Sequence, residues 1–217
     1  MIYNRQKYFD AAKAQLERNI FYHSLALEAC MAGIYDYLKS PTSVLPTLKL
    51  RRASKTTTGK QGVLPAGEPS REEWCLAGLI HDIDYSGEFK NEHPQKTKKA
   101  LARYGLDIPE TVLRIVKAHA PELTGVKPQN KAEWAIMCAD SLTGLIVASA
   151  LVLPSKKLAD VKLPSVLKRF KEPKFAAGTR REEISQCANS NGLNIPLEKF
   201  IDICLVAMQN IAKEISL

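Results

Sequence analysis

The chain is poor in histidine and in paired cysteines. Its 217 residues include four histidines and five cysteines (Cys30, Cys75, Cys138, Cys187, Cys204), none of the cysteines in a CxxC spacing. Scattered through apolar patterns, the cysteines read as small core residues, reduced thiols of a cytoplasmic protein rather than a disulfide framework. No internal repeat is present, and no set of alternating segments suggests a β-sheet. The opening stretch, MIYNRQKYFDAAKAQ, is too polar and amphipathic for a signal peptide. Aromatics make up 7% of the chain and never interleave with a basic run, so nothing supports an RNA-binding surface beyond charge.

Long hydrophobic runs are scarce too. WAIMCADSLTGLIVASALVL, residues 134–153, is long enough to span a bilayer, but it carries Asp140 in its first half. A lone carboxylate in lipid is costly, so the segment predicts a buried helix that holds a functional Asp.

The balance of 45% hydrophobic and 25% charged residues is that of an ordinary globular domain. The net charge of +8 is uneven. Residues 41–72 hold six Lys/Arg against two Glu, and residues 153–182 hold nine Lys/Arg against three acids, leaving the remainder slightly negative. Basic segments of this kind suit a phosphate-bearing ligand or a nucleic-acid surface, and equally a solvated face.

Helical periodicity dominates. Leu16, Ile20, His23, Leu27, Met31, Ile34 and Leu38 recur at steps of three and four until Pro41. Residues 41–70 lose that period and are rich in Thr, Ser, Gly and Pro, which predicts a long irregular excursion. Ser70 and Glu73 form a capping-box pattern that opens a helix running to His81. Pro94 suits a helix start, Asp107 and Pro109 open a helix that carries His119, and the Asp140 helix spans about 131–153. Two last helices are expected at about 179–191 and 196–215. The fold class is therefore all-α, a single helical domain over 1–217 with a C-terminal extension from about 154.

The polar residues that interrupt apolar faces are His23, His81, His119 and Asp140. Asp82 stands beside His81, and His93 follows at a helix entrance. All four histidines of the chain fall in this set. Imidazole and carboxylate are ligands of borderline divalent metals, and Asp82, with two oxygens, suits a bridge between two ions. Adjacent helical residues diverge by about 100°, so His81 and Asp82 share a site only if the helix ends there, and DIDYSGE supplies such an ending.

HSLALEA, LAGLIHDIDY and CADSLTGLI, in that order, resemble the successive motifs of the HD-domain superfamily of metal-dependent phosphohydrolases. The resemblance covers about residues 18–150. It implies a helical bundle around a divalent metal (Mn, Fe, Zn, Co or Ni) held by His23, His81, Asp82 and Asp140. In two-metal relatives further histidines lie between the HD pair and the last Asp, the interval that holds His93 and His119. The HD-x-G-K and GYP patterns of the signalling subgroup are absent, which points away from cyclic dinucleotides. The stretch from Thr143 to Glu182 looks like a bacterial subgroup of predicted HD hydrolases.

The activity so implied is hydrolysis of a small phosphorylated substrate, nucleotides included, since a divalent cation lowers the pKa of bound water to near neutrality. Asp82, Asp84 and Glu88 are the expected catalytic carboxylates, the latter two for orienting water or protonating a leaving group. Lys156, Lys157, Lys168, Arg169, Arg180 and Arg181 are candidates for holding phosphate. Two other readings share the ligand set: a di-iron HD-fold oxygenase, and a non-catalytic, metal-stabilised binding module.

Overall fold

Arg5–Gln15 (α1) and Arg18–Lys39 (α2) come first, and the helix expected from Leu16 to Pro41 starts two residues later than its stripe, at Arg18. The computed structural model describes residues 3–40 and 67–217, so the expected excursion at 41–70 lies outside the described residues except for its last four positions. Leu16, the first residue of the predicted stripe, is extended and caps α1; it is buried in the core all the same, which is why its spacing matched. Ser40, the residue before Pro41, is extended, and α2 stops at Lys39.

Then follow Arg71–Ile80 (α3), Thr97–Ala102 (α4), Glu110–Lys117 (α5), Pro121–Thr124 (α6), Lys131–Leu151 (α7), Leu163–Phe170 (α8), Arg181–Ser185 (α9) and Leu197–Asn210 (α10). Short 3₁₀ turns occupy Gly87–Glu92, Leu158–Asp160 and Gln186–Ala188. Among the described residues there is no strand, and the all-α class holds. Some boundaries differ from expectation. Pro121 opens a short helix rather than only closing α5, because proline fits the first turn, where its missing N–H is not needed. α4 begins three residues after Pro94. The helix expected at 179–191 is one α turn followed by a 3₁₀ turn. α8, in the Pro- and Lys-punctuated stretch, is an addition, with Pro164 in its first turn.

The capping box at α3 forms as its sequence specifies. Ser70 Oγ accepts from the Glu73 N–H at 3.3 Å, and Glu73 Oε2 accepts from the Ser70 N–H at 2.7 Å. Glu68 Oε1 takes the Lys131 N–H at 2.8 Å, tying the entrance of α3 to the start of α7.

α2 is the central element, packed on α3, α7 and α10, and α7 packs in turn on α5, α8 and α9. Leu27, Met31 and Ile34 of α2 are fully buried, as are Trp74 and Leu79 of α3, Ile136 and Leu142 of α7, and Phe200 of α10. Each such side chain contributes about 1.5–3 kcal/mol by leaving water. α7 passes a length-and-hydropathy test for a membrane span, but 67% of its apolar window is buried inside the protein. This agrees with the reading of that run as a core helix carrying a carboxylate.

One contact sets how α2 and α3 meet. A Cβ at Gly78 would stand 2.9 Å from both Cα and N of Glu28. The two backbones touch there because glycine has no side chain. One turn after Gly78 comes His81; five residues before Glu28 comes His23. The antiparallel pair thereby brings these two rings together.

Candidate metal centre

α3 ends at Ile80 and His81 is its C-cap. Ending the helix there lets His81 and Asp82 face the same space, as the DIDYSGE stretch suggested. α2 supplies His23 and α7 supplies Asp140, while His119, expected on the helix itself, lies in the turn two residues past the end of α5. His93 comes from the segment between the Gly87–Glu92 turn and α4.

The structure brings all six side chains together. His23 Nε2 and His81 Nε2 lie 3.1 Å apart, and His93 Nε2 and His119 Nε2 lie 3.2 Å apart. Asp82 stands between the two pairs. Its Oδ2 lies 3.2 Å from His81 Nε2 and 3.7 Å from His23 Nε2; its Oδ1 lies 3.4 Å from His93 Nε2 and 3.9 Å from His119 Nε2. Asp140 Oδ1 approaches the first pair, 2.9 Å from His23 Nε2 and 3.8 Å from His81 Nε2. In each triad, His23–His81–Asp82 and Asp82–His93–His119, the donor atoms lie within 4.8 Å of one another, close enough to hold one ion.

Every imidazole is held by its other nitrogen. His81 Nδ1–H donates to the Gly78 carbonyl at 2.9 Å, and His119 Nδ1–H to the Val116 carbonyl at 2.5 Å. His93 Nδ1–H donates to Asp84 Oδ1 at 2.7 Å. Thr143 Oγ1 gives its single proton to the Asp140 carbonyl at 2.7 Å, so at His23, 2.9 Å away, the Nδ1–H must be the donor. All four rings therefore turn Nε2 inward, the edge that metal-ligating histidines present.

The spacings fit an ion. Two lone pairs at 3.1–3.2 Å repel unless a proton or a cation lies between them. With metal–nitrogen bonds of about 2.0–2.1 Å, neighbouring ligand atoms are roughly 2.9 Å apart in an octahedron and 3.4 Å in a tetrahedron. The observed nitrogen pairs fall between these edges. Nitrogen and carboxylate donors in this mixture suit Mn, Fe, Co, Ni or Zn.

The electrostatics agree. Burial opposes a charge on His81, but Asp82 and Asp140 outweigh it and lift its pKa to about 9. Burial, reinforced by the neighbouring His81, brings His119 down to about 4. Burial alone would raise both carboxylates, yet His81 beside Asp82 and His23 beside Asp140 hold them far below the usual range. Two ionised carboxylates buried among nitrogen donors form a place for positive charge.

Other expected residues are placed differently. Asp84 is fully buried, with one oxygen on His93 and the other on the Lys96 N–H at 2.7 Å, so it orients a histidine and has no free oxygen for water or a leaving group. Glu88 is more than half exposed and pairs with Arg103 at 2.8 Å, not with the cluster. Lys156 and Lys157 follow the C-terminus of α7, where their N–H groups donate to the Leu153 carbonyl at 3.0 Å and to Ser155 Oγ at 3.4 Å, and neither side chain contacts the cluster among the described residues. Arg169 is spent on Glu172 and on the Phe175 ring. Arg181 donates to the carbonyls of Phe170, Thr179, Arg169, Glu172 and Phe175 and staples that loop instead of facing a ligand. Among the described residues Arg180 is the basic candidate with a contact to the cluster: its Nη2 donates to Asp140 Oδ2 at 2.7 Å and its Nε to Glu183 at 2.6 Å.

Thr143 and Tyr85 were not anticipated. Thr143 lies one turn after Asp140 on the same face of α7, and an Asp-x-x-Thr spacing inside an apolar helix is the signal that marks it. Tyr85, 39% exposed, sets its ring edge-on against His93 at 4.9 Å and walls the cluster on that side. Cavities of about 410 and 570 Å³ open elsewhere, around Ala29, Ala32 and Arg71, and take in none of the six cluster residues. Ala32 is nine residues from His23, half a turn round α2, so these hollows lie across the helix from the cluster. Comparison with protein-family models, curated proteins and solved structures finds no match for this chain.

Proposed function

We propose that the chain is a member of the HD-domain superfamily and a metal-dependent phosphohydrolase, acting on a small phosphoester, with nucleotides among the candidate substrates. The observation that carries the reading is Asp82, one carboxylate with an oxygen toward each of two histidine pairs. That arrangement matches the six-residue, two-ion ligand set implied by the sequence resemblance. His23, His81, Asp82 and Asp140 would hold one ion; Asp82, His93 and His119 would hold the second. A divalent cation supplies Lewis acidity toward a phosphoryl oxygen and a lowered pKa for bound water.

The protein's own residues prepare that chemistry. Gly78, Val116, Asp84 and Thr143 fix the four rings, so the donors are aimed before substrate arrives. Asp84, fully buried, makes His93 a stronger donor by accepting its Nδ1–H. Arg180 occupies the outer oxygen of Asp140 and leaves Oδ1 toward His23 and His81. The second triad has three protein donors, which leaves room for water and a phosphoryl oxygen.

The deciding experiment is metal analysis of the purified chain, followed by a screen of phosphomonoesters, phosphodiesters and nucleotides with Mn²⁺, Co²⁺, Ni²⁺, Zn²⁺ and Fe²⁺. Two ions per chain with metal-dependent phosphate release supports the reading. Bound iron with oxygen consumption and no phosphoester turnover would assign the same ligand set to an oxygenase. Metal without any turnover would leave a binding module.

A further inference from the structure

Arg180 is only partly used by the protein. Its Nε is on Glu183 and its Nη2 on Asp140, with the His119 carbonyl at 3.5 Å from the same Nη2. Nη1 has no partner among the described residues, and the side chain is 40% exposed. A guanidinium fixed on two sides, with one nitrogen left over beside the carboxylate of a ligand cluster, is preorganised to receive an oxyanion. Arg181, next in sequence, shows the contrast: its Nε, Nη1 and Nη2 all donate to carbonyls.

We infer that Arg180 is the anion anchor of this site: Nη1 binds a non-reacting phosphoryl oxygen of the substrate while Nη2 keeps Asp140 in place. The inference rests on the phosphohydrolase reading for the nature of the anion. Its geometry is that of Arg180 alone. The anchor is the N-cap residue of α9, so the C-terminal extension takes part in the site.

The test uses the full chain loaded with Co²⁺ and titrated with inorganic phosphate, followed through the visible absorption of the cobalt. Metal per chain is measured alongside. Wild type is expected to bind phosphate saturably. Arg180→Gln should weaken phosphate by about ten- to hundredfold, the value of one or two charged hydrogen bonds, with metal content unchanged. Arg180→Lys, which keeps the charge but loses the fork, should fall between, and Lys199→Gln, at the cavity across α2 from the cluster, should match wild type. Phosphate affinity unchanged in Arg180→Gln would overturn the inference. So would loss of the metal in that variant, which would make Arg180 a support for Asp140 and no more, or a cobalt-loaded wild type that binds no phosphate. Should Arg180→Gln fail to fold by far-UV dichroism, Arg180→Lys decides, with wild-type phosphate affinity overturning the inference. The two readings separate cleanly: a chain that binds phosphate through Arg180 yet hydrolyses no phosphoester sinks the enzyme and leaves the anchor.

Discussion

His93 Nδ1 and Asp84 Oδ1 lie 2.7 Å apart, and the other oxygen of Asp84 takes the Lys96 N–H at the same distance. Both partners are donors, so both oxygens must accept. Asparagine offers one oxygen and one NH₂ in the same shape, and would set a donor against a donor. Asp84→Asn is therefore expected to lower affinity for the second ion by about 10–100-fold while sparing the first. Competition titration with a chelating dye measures both steps. A variant that loads both ions like wild type would show that Asp84 does not support His93.

Stoichiometry tests the shared carboxylate. Wild type should hold two divalent ions per chain, His119→Ala one, and Asp82→Ala none, with phosphoester turnover lost in the last. Far-UV dichroism should be nearly unchanged in both. Mass-spectrometric metal analysis after dialysis reads the outcome. Two ions retained in His119→Ala would refute the dinuclear assignment.

Gly78 tests the backbone contact. Alanine is favoured over glycine within a helix by about 0.8–1 kcal/mol, so substitution in open space would stabilise α3. Here the new Cβ would meet the Glu28 backbone at 2.9 Å, and main chain has little freedom to yield. Overpacking of this kind costs about 1–3 kcal/mol and should win. Gly78→Ala should show a lower urea midpoint and, since His81 would shift against His23, weaker binding of the first ion. A midpoint at or above wild type would contradict the argument.

Thr143 tests the tautomer of His23. Thr143→Val keeps the shape and removes the acceptor of the Nδ1–H. A donor left unpaired costs about 1–3 kcal/mol, and His23 becomes free to choose the wrong tautomer. First-ion affinity should fall, and Thr143→Ser should restore it. Equal affinity in the valine and serine variants would dismiss the role.

Much of this was legible in the chain because chemistry was concentrated in scarce residue types. Four histidines, all on or beside apolar faces, named four cluster residues, and the capping-box spacing named the start of α3. The start of α2 was less legible: neither proline nor glycine marks Leu16–Glu17, and a buried Leu16 stays in phase with the stripe although it lies outside the helix. Thr143 was hidden because a threonine in an apolar helix looks like filler until its partner is known. The basic residues were hardest to separate. Lys156, Arg180 and Arg181 contribute alike to charge, yet one makes no contact with the cluster among the described residues, one reaches Asp140, and one is absorbed by loop carbonyls.

The neighbouring arginines have a dynamic consequence. From the end of α8 to Thr179 the chain is held by isolated backbone turns, and a single guanidinium, Arg181, adds hydrogen bonds to five of its carbonyls. Short turns joined through one side chain are expected to open together when that side chain lets go. Arg180 precedes that clamp directly, so an opening there also draws on the arginine that holds Asp140. Amide hydrogen exchange across 169–185 would then report the lifetime of the assembled centre from a stretch of chain that contains none of its six histidine and aspartate residues.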